Sequence, residues 1–327
     1  MSDIRIGVTG TGSLIGQAII KSVKKSSLNS KIKILGFDYF ENTIGSYWAD
    51  KSFLLPDFLK KGITQETWLN KIVELIKSED IKLVFPGVDF ELALFARYKE
   101  YIESETKCKV LVSNPEVIDI ADDKYRTYLF LKENGFTYLE TWLPGETDKT
   151  KLIFPCFVKP RIGARSRDAF IINDLKELNK TLPEIKNPII QELAGSPDSE
   201  YTCGVICLDG KIKGSIVLRR KLKEGNTETA YYAKDTPSVI YEYVHSISEK
   251  LMPFGACNFQ LRLDKDGMPR LFEINARHSG TTYMRALFGF NEVEYIISYL
   301  LGFKLKNFSL KEGIVKRYYE ESFFYGN

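Results

Sequence analysis

The chain has 327 residues, 44% apolar and 27% charged, and its 46 basic and 43 acidic side chains leave a formal charge of only +3. That length predicts two or three cooperating units without staples, and that balance excludes the strongly basic character of a nucleic-acid or anionic-membrane binder. No run approaches the roughly 18 apolar residues that span a bilayer, and even Tyr295 to Phe303 is short and Tyr-rich.

The start leads directly into Ile4-Arg-Ile-Gly-Val8, with no basic region, apolar region or small-residue cleavage site, so secretion is not expected. Five scattered cysteines (Cys108, Cys156, Cys203, Cys207 and Cys257) show neither zinc nor disulfide spacing and fit a reducing, cytoplasmic setting.

From there, short apolar runs alternate with helical patterns: Ile4 to Val8, a helix from about Leu14 to Lys25, Ile32 to Phe37, a helix near Glu66 to Lys77, then Leu83 to Pro86. This order predicts a doubly wound parallel sheet. Gly10-Thr-Gly-Ser-Leu-Ile-Gly16 lies between the first strand and helix, and Asp38 ends the second strand. That is the layout of a dinucleotide fingerprint, with the third glycine one position late. Two readings stay open: the nicotinamide site of an NAD(P)-dependent oxidoreductase, or a tight turn bordering a substrate site. Asp89-Phe-Glu91 follows another expected strand end, where an acid can meet an amine or Glu91 can cap the next helix.

Val110 to Val112 reads as a further strand, and Ser113-Asn-Pro115 sets a boundary near residue 113. Residues 114–134 are patterned as a helix with Gly135 as its left-handed cap. Phe154 to Lys159, Ala169 to Ile172, Ile189 to Leu193, Thr202 to Leu208, Lys213 to Leu218, Asn258 to Leu263 and Pro269 to Asn275 read as mainly antiparallel strands, with a helix at about Val239 to Leu251.

The chemistry concentrates in Cys257-Asn-Phe-Gln-Leu-Arg-Leu263 and Arg270-Leu-Phe-Glu-Ile-Asn275, two strands around the turn signal Asp264-Lys-Asp-Gly267. A loop of two or four residues sets Leu263 opposite Met268 and Asn258 opposite Glu273. Alternation then puts Phe259, Leu261, Leu263, Phe272 and Ile274 on a core face. Asn258, Gln260, Arg262, Glu273, Asn275 and Arg277 collect on the other. A carboxylate beside amide oxygens is what Mg²⁺ accepts together with phosphate oxygens and water, and Arg277 can hold a phosphate or a substrate carboxylate. Taken alone, a solvated polar sheet face explains the same alternation.

Asn-Phe-Gln followed by Phe-Glu-Ile-Asn-Ala-Arg-His-Ser-Gly resembles the metal-binding end of the ATP-grasp fold, in its carbamoyl phosphate synthetase-like branch. The resemblance extends in order from Ile4 to a Tyr-rich final strand. It implies an α/β and α+β chain: an N-terminal doubly wound domain over 1–113, a linker helix and lid over 114–193, and an antiparallel catalytic subdomain over 194–327. It further implies that Lys124 and Lys159 meet ATP phosphates, that Gln191, Glu192 and Leu193 form the adenine hinge, that Glu200 takes ribose hydroxyls, and that Gln260, Glu273 and Asn275 hold the metal.

The family's glycine-rich loop is replaced here by Gly163-Ala-Arg-Ser-Arg-Asp168, where Ser166, Arg165 and Arg167 stand in for backbone donors or are simply solvated. Of Arg219 and Arg220, which point to opposite faces of a strand, one is expected in the site, and Arg220 is assigned. Arg277, Lys159 and Arg220 are the expected catalytic groups. His245 is expected on a helix surface, and His278 is a neighbour of Arg277 without a triad pattern.

The implied function is an ATP- and Mg²⁺-dependent (Mn²⁺ as alternative) carboxylate–amine ligase that passes through an acyl phosphate. Its partners would be small-molecule carboxylates and amines, with no nucleic acid or membrane, and a homodimer is compatible. A non-catalytic ATP-binding protein is the remaining alternative to the oxidoreductase. Far shorter than the duplicated synthetase it resembles, and showing no glutaminase segment or second grasp unit, the chain is not expected to make carbamoyl phosphate itself.

Overall fold

A computed structural model describes residues 3–148, 151–163 and 168–324. Strands β1 (Ile4–Thr9), β2 (Ile32–Asp38), β3 (Lys51–Leu54), β4 (Ile81–Phe85) and β5 (Lys109–Val110) form a parallel sheet in the order β3-β2-β1-β4-β5. The strand order reverses at β1, so the crevice beyond β1 and β4 is where such a sheet places ligands. Helices α1 (Leu14–Lys25), α2 (Ile44–Trp48), α3 (Gln65–Ser78) and α4 (Leu92–Thr106) are its crossovers. The strands are apolar on both faces because both are covered: Ile32 and Ile34 share a core with Ile19 of α1, whereas Leu35 and Phe37 share one with Trp68 of α3 and Phe95 of α4.

The helix expected over 114–134 is two helices, α5 (Pro115–Asp122) and α6 (Lys124–Glu133). Asp123, at φ −96° and ψ 109°, breaks it, because its carboxylate accepts the N–H groups of Tyr125 and Arg126 and binds Arg161. An Asp side chain offered a cap prefers it to continued helix. Gly135 is left-handed (φ 72°) as expected, with Phe136 N donating to Leu131 O at 3.0 Å.

Next come β6 (Thr141–Trp142), β7 (Cys156–Pro160), β8 (Phe170–Ile172), α7 (Leu175–Thr181) and β9 (Pro188–Glu192). Their antiparallel sheet, in the order β6-β9-β7-β8, carries a small core of its own around Val158, Ile172, Leu178 and Ile190. Then β10 (Glu200–Leu208), β11 (Lys211–Lys223), β12 (Asn226–Tyr232), α8 (Ser238–Leu251), β13 (Gly255–Leu263), β14 (Pro269–Asn275), α9 (Thr282–Leu287), α10 (Glu292–Leu301) and β15 (Gly313–Lys316) complete the chain.

The six-stranded sheet runs β14-β13-β10-β11-β12-β15 and shares both large cores with the parallel sheet. Strand β12 had no clear apolar alternation in the sequence. The last strand ends before the tyrosines, and Tyr318 and Tyr319 lie exposed beyond it.

Candidate functional site

A cavity of about 610 Å³ opens between the three sheets. Of the residues singled out in the sequence, it is lined by Lys124, Lys159, Gln191, Glu192, Leu193, Glu200, Arg220, Gln260, Glu273, Asn275 and Arg277. Ser13, Gly87 and Asp89 from the β1 and β4 ends of the parallel sheet reach the same cavity. Arg165, Ser166 and Arg167, expected over the phosphates, lie outside the described residues.

The β13–β14 hairpin differs in register from the even-loop expectation. Asp264 N donates to Met268 O at 2.9 Å, and Gly267 sits at φ 77°, giving an odd loop closed by a left-handed glycine. Leu263 therefore faces Pro269, and a bulge at Phe272 shifts the rest, so Gln260 faces Glu273 and Asn258 faces Asn275. The bulge turns Leu271, not Phe272, into the core beside Phe259, Leu261 and Ile274, and leaves Phe272 on the cavity wall.

Lys159 projects from β7 and is nearly buried, its Nζ 5.7 Å from the Phe272 ring centroid and 5.9 Å from that of Phe157. Burial, reinforced by the charge of Lys124, lowers its pKa to about 7. Among the described residues no carboxylate pairs with it within 4.0 Å. Lys124, at the start of α6, donates to Gly163 O at 2.8 Å, which ties it to the loop that follows β7.

Glu200 is buried between two guanidinium groups. Arg220 reaches its Oε1 at 2.7 and 2.9 Å, and Arg262 reaches its Oε2 at 2.9 Å through both Nε and Nη2. Each of its two oxygens thus already accepts a hydrogen bond from a guanidinium, so a ribose hydroxyl would share an oxygen with an arginine. Arg220 also donates to Gln260 Oε1 at 2.6 Å, which engages the oxygen expected to ligate metal. Arg219 points away and stacks on Tyr231. Gln191 is held by Thr141, and the Glu192 N–H by Glu140 O at 2.8 Å.

Glu273 makes no ion pair among the described residues, and the adjacent Asn275 Nδ2 is buried without a partner. Among these residues no three His, Cys, Asp or Glu form a metal cluster. One carboxylate with a neighbouring amide suits Mg²⁺ arriving with phosphate oxygens better than a pre-built cage. Arg277 spans to the parallel sheet, donating to Asp89 Oδ1 at 2.5 Å and to His278 O at 2.9 Å.

Beneath the hairpin, Arg285 and Glu292 form a fully buried pair at 2.7 Å. Burial alone would raise the Glu292 pKa, but Arg285 and the hydrogen bond to His278 Nδ1 bring it down to about 2. Arg285 also donates to Asn258 Oδ1 at 3.0 Å, so this network fixes the base of β13. His278 is thus a buried support, and His245 is half-buried against Ser215 at 2.7 Å.

The front glycine turn is closed on itself. Asp38 Oδ2 accepts Thr11 Oγ1 at 2.8 Å and Gly12 N at 2.7 Å, the donor and acid that a dinucleotide would need. Thr43 stands 2.8 Å from where a Cβ on Gly12 would lie, so protein packs closely against the turn at that point. Glu91 stands at the N-cap position of α4, but its side chain makes no capping hydrogen bond and it does not line the cavity. It is buried against Thr9 and the Tyr39 hydroxyl, and burial raises its pKa to about 7. Arg317, which follows β15 into the cavity, was not among the expected site residues; a single basic residue after a short edge strand carries no periodic signal.

Residues 190–321 match the family described as ATP-grasp in the biosynthetic pathway with Ter operon, and residues 6–111 match the PylC-like N-terminal domain. An uncharacterized protein, MG011, of Mycoplasma genitalium is 30% identical over 176 residues, which cover 52% of this chain and 58% of that one. The chain thus spans under two thirds of that relative's length. A carbamoyl-phosphate synthase of Methanobrevibacter smithii is 22% identical over 251 residues, covering 72% and 67%.

Among solved structures, the L-amino acid ligase from Bacillus licheniformis superposes with a TM-score of 0.71 at 15% identity over 92% of this chain and 75% of that one. N5-carboxyaminoimidazole synthetase from Staphylococcus aureus, complexed with ADP, gives 0.73 at 15% over 95% and 81%. The biotin carboxylase domain dimer of 2-oxoglutarate carboxylase from Hydrogenobacter thermophilus, with MgADP, ADP and bicarbonate, gives 0.73 at 16% over 96% and 74%. At such identities these likenesses concern the fold.

Proposed function

Starting from the ATP-grasp match over residues 190–321 and the PylC-like N-terminal match over 6–111, we propose that the chain is an ATP-grasp ligase that uses ATP and Mg²⁺ to activate a small carboxylate as an acyl phosphate and pass it to an amine. The observation that carries this reading is the meeting in one cavity of Lys159 from β7 and Glu273 from β14, which feel each other's charge while neither forms an ion pair within 4.0 Å among the described residues. Each is a charge that a Mg²⁺–phosphate group would complete.

Lys124 and Lys159 would orient the phosphates and Glu273 with Asn275 would hold the cation, with Gln260 joining once Arg220 releases it. Mg²⁺ would neutralise charge on the phosphate oxygens. Arg277, already fixed by Asp89, stands where it can stabilise charge on the group in transfer. No side chain needs to act as a covalent nucleophile, so positioning and electrostatics carry the rate.

The test is ADP release by the full chain across a panel of carboxylates and amines, with Glu273→Ala expected to lose turnover while keeping its circular dichroism spectrum. NADH binding without ATP affinity would sink the ligase reading. ATP binding with no ADP release from any pair would favour the non-catalytic one.

A further inference from the structure

Four arginines among the described residues line the cavity, and three are committed to acids: Arg220 and Arg262 to Glu200, and Arg277 to Asp89. Arg317 is different. Among the described residues its guanidinium makes one hydrogen bond, Nη2 to Gly280 O at 2.6 Å, and none of their carboxylates lies within 4.0 Å. Arg317 is half-buried, and its own backbone N–H is pinned to Glu228 O at 2.7 Å. A partly desolvated guanidinium without an anion forgoes charge-assisted hydrogen bonds worth more than neutral ones.

The surroundings leave the guanidinium approachable from the cavity. A Cβ placed on Gly280 would lie 3.6 Å from Leu14 Cβ and 3.7 Å from Arg317 Nη2, and with only hydrogen at that position the space beside the guanidinium stays open. Leu14 and Gly280 both line the cavity. Beyond Arg317 the chain crosses to the N-terminal unit, where the Phe324 ring stacks on Tyr47 at 4.5 Å. Arg317 is therefore delivered to the wall of the cavity formed by the N-terminal unit, by a segment anchored on both sides.

We propose that Arg317 is the recognition residue for an oxyanion carried by the substrate, a carboxylate or a phosphate ester, at the end of the cavity bounded by Leu14 and Gly280. This deepens the ligase reading and rests on it for the nature of the ligand as substrate. The anion subsite itself rests on the geometry alone.

The test uses the intact chain and p-hydroxyphenylglyoxal, with modification followed at Arg317 by peptide mass spectrometry and exposed Arg219 as the internal control. Acetate and inorganic phosphate serve as separate probes. Saturable protection of Arg317, on the order of tenfold as a charge-assisted pair predicts, with Arg219 unchanged, supports the subsite.

Protection by acetate alone identifies a carboxylate and by phosphate alone a phosphate ester, whereas protection by both supports the shared oxyanion chemistry. Equal labelling with and without both anions overturns the proposal, as does full protection by MgATP alone, which would assign Arg317 to the nucleotide. MgATP affinity, measured in parallel on wild type and Arg317→Ala, is expected to agree within about twofold for a residue outside the nucleotide site. Absence of MgATP binding to wild type would remove the ligase reading while leaving the labelling result to stand on its own.

Discussion

Lys159 shows how one side chain can couple nucleotide binding to pH. With its pKa lowered to about 7 by burial and by Lys124, it is largely neutral at pH 8, and a phosphate beside it would restore the charged form. Binding of MgATP should therefore take up close to one proton at pH 8 and almost none at pH 6. Calorimetry in buffers of different ionisation enthalpy reads this directly, and Lys159→Met should abolish the uptake.

The sign for stability follows. The folded pKa is below the unfolded value, so between about 7 and 10.5 the unfolded chain holds more protons, and this group alone makes the fold more stable as pH rises. The residue type and its place on a strand were legible in the sequence. Its lack of an acid was not, because that depends on which side chains the other sheets bring near.

At the scale of elements, the hairpin shows both what alternation can deliver and where it stops. Gln260, Glu273 and Asn275 do line the cavity, because period-two patterning survives on each side of a bulge. Phe272 does not behave as expected, because one extra residue reverses the faces locally and an odd loop shifts the register. Gly267, at φ 77°, holds that loop. Gly267→Ala should lower stability by about 1 kcal/mol, seen as a lower urea midpoint with an unchanged slope, and an unchanged midpoint would argue against the loop described.

In the parallel sheet, Glu91 links β1 to the Tyr39–Trp68 hydrogen bond of 2.8 Å. Its folded pKa of about 7 lies above the unfolded 4.5, so its contribution is complete below pH 4.5 and is lost as pH rises through 7. Glu91→Gln should flatten that part of the stability–pH curve, which thermal melts across the range would show.

Across the whole molecule, the parallel and six-stranded sheets share two cores, whereas the small sheet keeps its own. The first two should unfold together, and the small sheet is the unit predicted to swing over the cavity when nucleotide binds. Scattering measurements should show a smaller radius of gyration with a non-hydrolysable MgATP analogue, and an unchanged radius would count against closure. The alternation of strands and helices made the parallel sheet readable from sequence. The shared cores were not readable, since they gather residues hundreds of positions apart into one cluster, as with Ile6 and Ile297.

The cavity's lining also bears on kinetics. Among the described residues, six that line it are Lys or Arg and four are Asp or Glu, so a nearly neutral chain concentrates a positive balance inside a concave, low-dielectric wall. Such a funnel attracts a doubly negative nucleotide–magnesium complex from beyond contact range. Its capture rate should therefore fall as salt shortens the reach of the field, while the rate of escape, set by contacts already made, changes far less.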